Sequence, residues 1–273
     1  MFKSKTSKIA GVLLLSASML LSACGKEEKK ETAGTATAKN ALEQIKADGK
    51  IVIGVKYDTR LFGLKNPSSG EVEGFDIDIS KQLAKDILGD EKKVEFKEVT
   101  SKTRIPMLNN GDIDAIVATM TISEERKKEV DFSDVYFDAG QSLLVKKGSS
   151  IKGLEDLKKG TKVLAVKGST SAINIREKAP ETTVLEFENY TEAFTALKSG
   201  QGDALTTDDS ILYGMVDQDA NYQLVGGTFT EEPYGIAVKK GNKELVDAIN
   251  SALKKMKDNG KYDEIHKKWI KSN

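Results

Sequence analysis

The chain has 273 residues, 42 of them basic and 42 acidic, with one Cys and one His. One Cys forms no internal disulfide, one Cys with one His is too few for a nitrogen–sulfur zinc site, and balanced charge with a sequence pI ≈ 6.7 leaves no basic footprint for nucleic acid. Aromatics at 6% and a mean hydropathy of -0.39 exclude a polytopic membrane protein, while the length is ample for the core of one large or two ordinary domains.

Lys3, Lys5 and Lys8 precede an apolar stretch from Ile9 to Leu21, which ends in Leu21-Ser22-Ala23-Cys24. Basic, then apolar, then small is the order of a secretory signal peptide over residues 1–23, and the stretch is shorter than the about 20 residues a membrane-spanning helix needs. Leu-Ser-Ala-Cys resembles the lipobox of bacterial lipoproteins, in which the Cys becomes the lipidated, palmitate-bearing mature N-terminus. Several acyl chains on Cys24 would hold the protein at a membrane surface. Loss of the three lysines turns the balance of 42 and 42 into 39 basic against 42 acidic residues. Residues 25–39 (GKEEKKETAGTATAK) hold no large apolar side chain and read as a flexible tether.

From Asn40 onward, strand-length apolar runs alternate with helical patterns. Strands are expected over Ile51–Val55, Val94–Val99, Ile113–Ala118, Ser142–Val145, Val163–Val166, Thr183–Phe187, Ala204–Thr206 and Gly235–Val238. Amphipathic helices are expected over Phe75–Leu88, Thr191–Lys198 and Lys243–Lys257, the last with Leu245, Ile249, Leu253 and Met256 on one face. Such alternation predicts an α/β fold of parallel sheets flanked by helices.

Two motifs recur in the same order. Ile51–Lys56 has the shape of Lys162–Lys167, and Leu108-Asn-Asn-Gly-Asp-Ile-Asp-Ala115 resembles Leu197-Lys-Ser-Gly-Gln-Gly-Asp-Ala204. Two lobes of like topology follow. Thr119 and Asp208, each four residues beyond the repeated Ala, then lie at the C-terminal ends of equivalent strands, where open α/β sheets bind ligands.

Local rules are broken at the same places. Ser123 and Thr103 read as helix N-caps, yet Arg126 and Arg104 stand in the first turns that follow, where cations oppose the helix dipole by about 0.3–1 kcal/mol. An anion near both would relieve the conflict. Gly168-Ser169-Thr170-Ser171 joins a strand to a helix start and offers free N–H groups to a small carboxylate, without the spacing of a nucleotide loop. Asp76-Ile-Asp78 lacks the Gly and Glu of a calcium loop, no G-x-S-x-G elbow is present, and His266 reads as a surface or packing residue. No cofactor or metal is expected.

Together these segments resemble the bacterial solute-binding proteins of polar amino-acid ABC transporters, family 3. The resemblance rests on Gly54-Val-Lys56, Gly74-Phe-Asp-Ile-Asp78, Asn109–Asp114, Thr119-Met-Thr-Ile-Ser-Glu-Glu-Arg126, Val130–Ser133, Lys167–Ser171, Asp203-Ala204 with Asp208, and Pro233–Val238. It implies a two-lobed, type II periplasmic-binding-protein-like fold, each lobe a mostly parallel sheet flanked by helices. Residues 40–144 with 233–273 would form lobe 1 and 145–232 lobe 2, with the ligand in the cleft between them. It implies a monomeric, extracytoplasmic receptor that delivers an amino acid to ABC permease subunits and is not an enzyme. By the same resemblance Arg126 would hold the α-carboxylate, helped by Thr119 and Thr121 from one lobe and Ser169, Thr170 and Ser171 from the other. Asp208 would accept from the α-ammonium.

Gly54–Asn66 and Thr100–Ile105 look most like the glutamate- and aspartate-binding branch. There Lys56 and Arg104 would face the ligand's second carboxylate, with Tyr190 as a hydroxyl donor. Glutamine stays close behind, since an Asp could neutralise Arg104 and a carboxamide oxygen still accepts from Lys56. Thr207 replaces the His that some members carry beside Asp208. The rival readings are a cleft enzyme such as a cyclic-acid dehydratase, which would need a general acid, and a sensory module, which the chain's ending soon after Trp269 disfavours.

Overall fold

The computed structural model describes residues 40–270. The expected signal peptide, Cys24 and the tether lie outside them, and among the described residues no helix is long and apolar enough to cross a membrane.

The helices are α1 (Ala41–Asp48), α2 (Phe75–Leu88), α3 (Arg104–Asn110), α4 (Glu124–Glu129), α5 (Thr170–Lys178), α6 (Tyr190–Lys198), α7 (Asp209–Gln218), α8 (Lys243–Asp258) and α9 (Lys261–Trp269). The strands are β1 (Ile51–Val55), β2 (Asp58–Thr59), β3 (Gly63–Lys65), β4 (Val72–Glu73), β5 (Val94–Glu98), β6 (Ala115–Ile116), β7 (Val130–Ala139), β8 (Gln141–Lys146), β9 (Lys162–Val166), β10 (Thr183–Phe187), β11 (Ala204–Asp208), β12 (Tyr222–Val225) and β13 (Glu232–Lys239).

Two five-stranded sheets form, in the orders β5-β1-β6-β13-β7 and β10-β9-β11-β8-β12, beside a small sheet β2-β3-β4. The repeated motifs occupy equivalent places: β1 and β9 are second in their sheets, β6 and β11 third. The repeated Asp does the same work in both. Asp114 Oδ2 accepts from the Val52 N–H at 2.7 Å and Asp203 Oδ2 from the Lys162 N–H at 2.7 Å, pinning the start of each inner strand. Both faces of each sheet are covered. Ile77, Leu83, Leu245, Ile249, Leu253 and Met256 pack on one side of the first sheet, and Val99, Leu108, Ile113 and Met120 form a second cluster. In the second lobe Phe194, Leu197, Ile211 and Leu212 form one cluster, and Ile151, Leu157 and Ile175 another. His266 lies against Phe75, Phe137 and Tyr262, with ring centroids 5.9–6.0 Å away, in a packing role.

The two-lobed α/β architecture is as expected, but each sheet is mixed, with two parallel and two antiparallel pairings. The cause is the crossing between lobes. β7 runs out of the first lobe and continues through Gly140 into β8; the chain returns after β12 into β13, and these strands lie antiparallel to their neighbours. The crossing therefore falls at Gly140 and just before Glu232. Gln141–Leu144, expected in lobe 1, pair in the second sheet, and Glu232 pairs in the first, opposite Ala139. A Cβ on Gly140 would stand 2.7 Å from the Thr230 carbonyl oxygen, so the two crossing segments pass this closely only because residue 140 has no side chain.

Candidate functional site

Lys56 follows β1, Arg104 begins α3 after β5, and Thr119, Thr121 and Arg126 follow β6. Across the cleft, Ser169, Thr170 and Ser171 follow β9, Tyr190 begins α6 after β10, and Asp208 ends β11. Of these ten residues nominated from sequence, nine are buried and Thr170 is half-buried.

The lobes are closed on each other. Lys56 Nζ stands 5.1 Å from the centroid of the Tyr190 ring. Arg126 donates through Nη1 to the Thr121 carbonyl at 2.8 Å and through Nη2 across the cleft to the Gly168 carbonyl at 3.3 Å. The Tyr190 N–H donates to Asp58 Oδ2 at 2.6 Å, and Arg60 Nε pairs with Asp217 Oδ2 at 2.7 Å. A Cβ on Gly168, whose φ is +75°, would meet Lys102 Cα at 2.8 Å.

Burial under these contacts governs the electrostatics. Removal from water, with repulsion from Arg104 and Arg126 and against the attraction of Asp58, lowers Lys56 to about 7; removal from water and then repulsion from Arg126 lower Arg104 to about 9. Arg126 is lowered by burial too, against the attraction of Asp208 and Glu232. Asp208 is raised to about 7 by burial and then by Glu232; its Oδ2 accepts from the Tyr234 hydroxyl at 2.6 Å. Burial also raises Tyr190 to about 12 and keeps its hydroxyl protonated; that hydroxyl oxygen accepts from Thr207 Oγ1 at 3.1 Å.

Four fully buried side-chain polar atoms among the described residues have no hydrogen-bond partner: Arg104 Nε, Thr119 Oγ1, Ser171 Oγ and Asp208 Oδ1. All four belong to nominated residues. A stranded buried polar atom costs about 1–3 kcal/mol, so four in one cleft mark a place built to meet other polar groups. Three of the residues can donate there and Asp208 can accept, which is the complement of a zwitterion.

Some local expectations change. Ser123 caps α4 as expected, accepting from the Arg126 N–H at 3.3 Å. Thr103 makes no side-chain cap; its Oγ1 accepts from the Thr100 N–H at 2.9 Å. Both cations are partly engaged within the chain: Arg104 Nη1 donates to the Ala118 carbonyl at 2.7 Å while its Nε has no partner, and Lys56 Nζ donates to Ser101 Oγ at 2.9 Å.

Other contributors escape a reading of sequence. Asp76, wholly buried at the start of α2, accepts from the Thr119 N–H at 3.0 Å and the Tyr136 hydroxyl at 2.9 Å. It thereby holds Thr119 at φ +44°, a left-handed conformation that costs a residue with a branched Cβ about 1–3 kcal/mol. Burial raises Asp76 to about 7. Gln141 donates to Thr206 Oγ1 at 2.8 Å and to the Ser171 carbonyl at 3.1 Å, while Glu232 gathers Thr121 and Thr170. The available signal is a carboxylate directly before Pro233-Tyr234-Gly235, at the start of a buried strand.

Comparison with known proteins identifies the family. Over 266 residues the chain is 73% identical to the ABC transporter glutamine-binding protein GlnH of Bacillus subtilis (strain 168), covering 97% of each. It is 65% identical over 230 residues to the glutamine-binding protein of Geobacillus stearothermophilus, covering 84% of this chain and 88% of that one. A solved structure described as an ancestral arginine-binding protein bound to glutamine is 49% identical, with a TM-score of 0.77, covering 82% of this chain and 99% of that one. Residues 51–272 match the family model, and the chain belongs to the bacterial extracellular solute-binding proteins, family 3.

Proposed function

We propose that the protein is an extracytoplasmic receptor that closes on L-glutamine and delivers it to an ABC importer, held at the membrane by lipid on Cys24. The observation that carries the amino-acid part is the set of unpartnered buried atoms at Arg104, Thr119, Ser171 and Asp208. Arg126 and Ser171 donate to the α-carboxylate, joined by main-chain N–H groups at Thr121 and at the start of α5, where helix N–H groups lack internal partners. Ser169 caps that helix, accepting from the Ala172 N–H at 3.1 Å, and so orients them. Thr121 and Thr170 act through the main chain because their hydroxyl protons go to Glu232. Asp208 Oδ1 accepts from the α-ammonium.

Glutamine is preferred to glutamate for two reasons. The relatives of highest identity given above are named for glutamine. And Lys56, lowered to about 7, is a weak counter-charge, while Arg104 is partly spent on main-chain carbonyls. A carboxamide oxygen accepts from both without bringing an unmatched buried charge. Glutamate and aspartate, with a full second carboxylate, would bring one.

Thermal melting of the mature chain with a panel of amino acids tests the reading. Glutamine at 100 times its dissociation constant stabilises by about 2.7 kcal/mol. A melt unmoved by any polar amino acid refutes the receptor; a larger shift with glutamate than with glutamine at pH 8 refutes the selectivity. The enzyme alternative draws on the raised Asp208, which could serve as a general acid. Mass spectrometry of the ligand recovered after long incubation separates the two, unchanged glutamine being the receptor's outcome.

A further inference from the structure

Glu232 is only 2% exposed and stands where β13 leaves the crossing. Its carboxylate accepts four side-chain hydrogen bonds. Oε2 takes Thr121 Oγ1 at 2.7 Å and Thr170 Oγ1 at 2.9 Å; Oε1 takes Asn174 Nδ2 at 2.9 Å and Thr230 Oγ1 at 2.8 Å. A carboxylate has about four lone-pair sites, so Glu232 has none left for a ligand. The donors come from different bodies. Thr121 and β13 belong to the first lobe, Thr170 and Asn174 to α5 of the second, and Thr230 to the returning crossing. Asn174 Nδ2 also donates to Gln141 Oε1 at 3.0 Å, tying the same point to the outgoing crossing.

We infer that Glu232 is a positioning residue that locks the closed state: a buried carboxylate of lobe 1 that the second lobe must satisfy. Opening carries α5 away from β13 and strips Thr170 and Asn174 from a carboxylate buried at the crossing. Glu232 thus resists opening and slows ligand escape without touching the ligand. It also fixes the roles of two site threonines, since each hydroxyl has one proton and both protons point at Glu232. The inference rests on the receptor reading only for the ligand kinetics; the lock itself is a property of the ligand-free chain.

The test uses the mature chain and Glu232→Gln, which keeps the shape but replaces two acceptor sites by an N–H₂ donor facing other donors. Asn174→Ala serves as the second variant and removes one second-lobe partner while leaving the carboxylate in place. Glutamine association and dissociation are followed by stopped-flow fluorescence, and the inter-lobe distance is measured without ligand by labels on the exposed Lys92 and Lys178 positions. Loss of a hydrogen bond to a charged group predicts a dissociation rate raised about tenfold or more, with association within about twofold. The ligand-free distance distribution shifts toward open in both variants. Dissociation within twofold of wild type in both, or a fall in association alone, overturns the lock. Unchanged ligand-free distances with lowered melting temperature also overturn it, leaving Glu232 a fold-holding residue only. If the wild type does not bind glutamine, the receptor reading fails by itself, and the ligand-free distances still decide the lock.

Discussion

If Asp208 holds the α-ammonium as proposed, the receptor's affinity should depend on pH, and the size of the dependence can be worked from its surroundings. Its carboxyl is buried, keeps one oxygen for a ligand and is raised to about 7, first by burial and then by Glu232. An α-ammonium beside Oδ1 needs the ionised form, so binding at neutral pH expels the proton that the ligand-free site holds. At pH 8 about nine-tenths of the ligand-free protein has the carboxylate ready; at pH 5 about one-hundredth does. The dissociation constant for glutamine should therefore rise about 100-fold from pH 8 to pH 5, or ~2.7 kcal/mol. Calorimetry at pH 7 in buffers of different ionisation enthalpy should detect about half a proton released per ligand from this group. Asp208→Asn isolates it from Lys56 and Asp76, which titrate in the same range. The variant should lose about 2–5 kcal/mol of affinity at pH 8, the scale for removing one partner of a buried charge pair. Its remaining affinity should lack the Asp208 part of the slope. A variant with the wild-type slope, or a wild type equally tight at pH 5 and 8, would refute the assignment. The ligand-free stability has the opposite sign. An acid raised in the folded state contributes stability below its unfolded value, lost as pH rises from about 4 through 7, so ligand-free Asp208→Asn should melt higher than wild type at pH 8.

Gly214, inside α7, separates closure from folding: a Cβ there would stand 2.7 Å from the Arg60 carbonyl oxygen of the other lobe. Gly214→Ala should stabilise the helix by about 0.5–1 kcal/mol in the ligand-free melt yet weaken glutamine binding; tighter binding would show that the lobes do not meet there on closure. Lys56, charged below about 7 and neutral above, should make glutamate compete better as pH falls. The ratio of glutamine to glutamate affinity should drop between pH 8 and pH 6, and Lys56→Gln should flatten that change in paired calorimetric titrations. Cys24→Ser should move the protein from the membrane to the soluble fraction of expressing cells, and retention would defeat the lipid anchor.

The two arginines of the cleft stand out in the sequence because each breaks a local rule where it stands, whereas Asp208 follows from the repeated motif and Lys56 from the family resemblance alone. Arg126 in the first turn after Ser123, and Arg104 opening a helix with Pro106 behind it, are misplaced by the logic of an isolated helix. The repeated Gly-x-x-Asp-Ala stretches also point to strand ends, and the Asp114 and Asp203 carboxylates pin β1 and β9 in the same way. What stayed hidden depends on register. Val130–Ala139 has no clean alternation, its burial changing irregularly along ten residues, so the sequence does not announce the strand leading to the crossing and suggests a boundary after Leu144 instead of at Gly140. Glu232 joins the site only because it pairs opposite Ala139 while α5 brings Asn174 to it from 58 positions earlier in the chain. Asp76 stands in the sequence only as part of a failed calcium loop and of the family stretch Gly74–Asp78; its role shows once Thr119, 43 residues on, turns its N–H toward it.

These hidden residues explain how the cleft can hold groups that oppose one another. Lys56, Arg104 and Arg126 repel, four polar atoms lack partners, and Thr119 keeps a left-handed backbone. Each feature costs free energy in the closed chain, and the fold holds them with buried carboxylates whose hydrogen bonds are made within the chain: Asp76 beneath Thr119 and Glu232 at the crossing. On the proposed reading, a zwitterion entering the cleft would complete Arg104 Nε, Ser171 Oγ and Asp208 Oδ1 together and would offset those costs only when both lobes touch it. Ligand binding and closure would then be one equilibrium, because the unpartnered polar groups lie on both sides of the cleft.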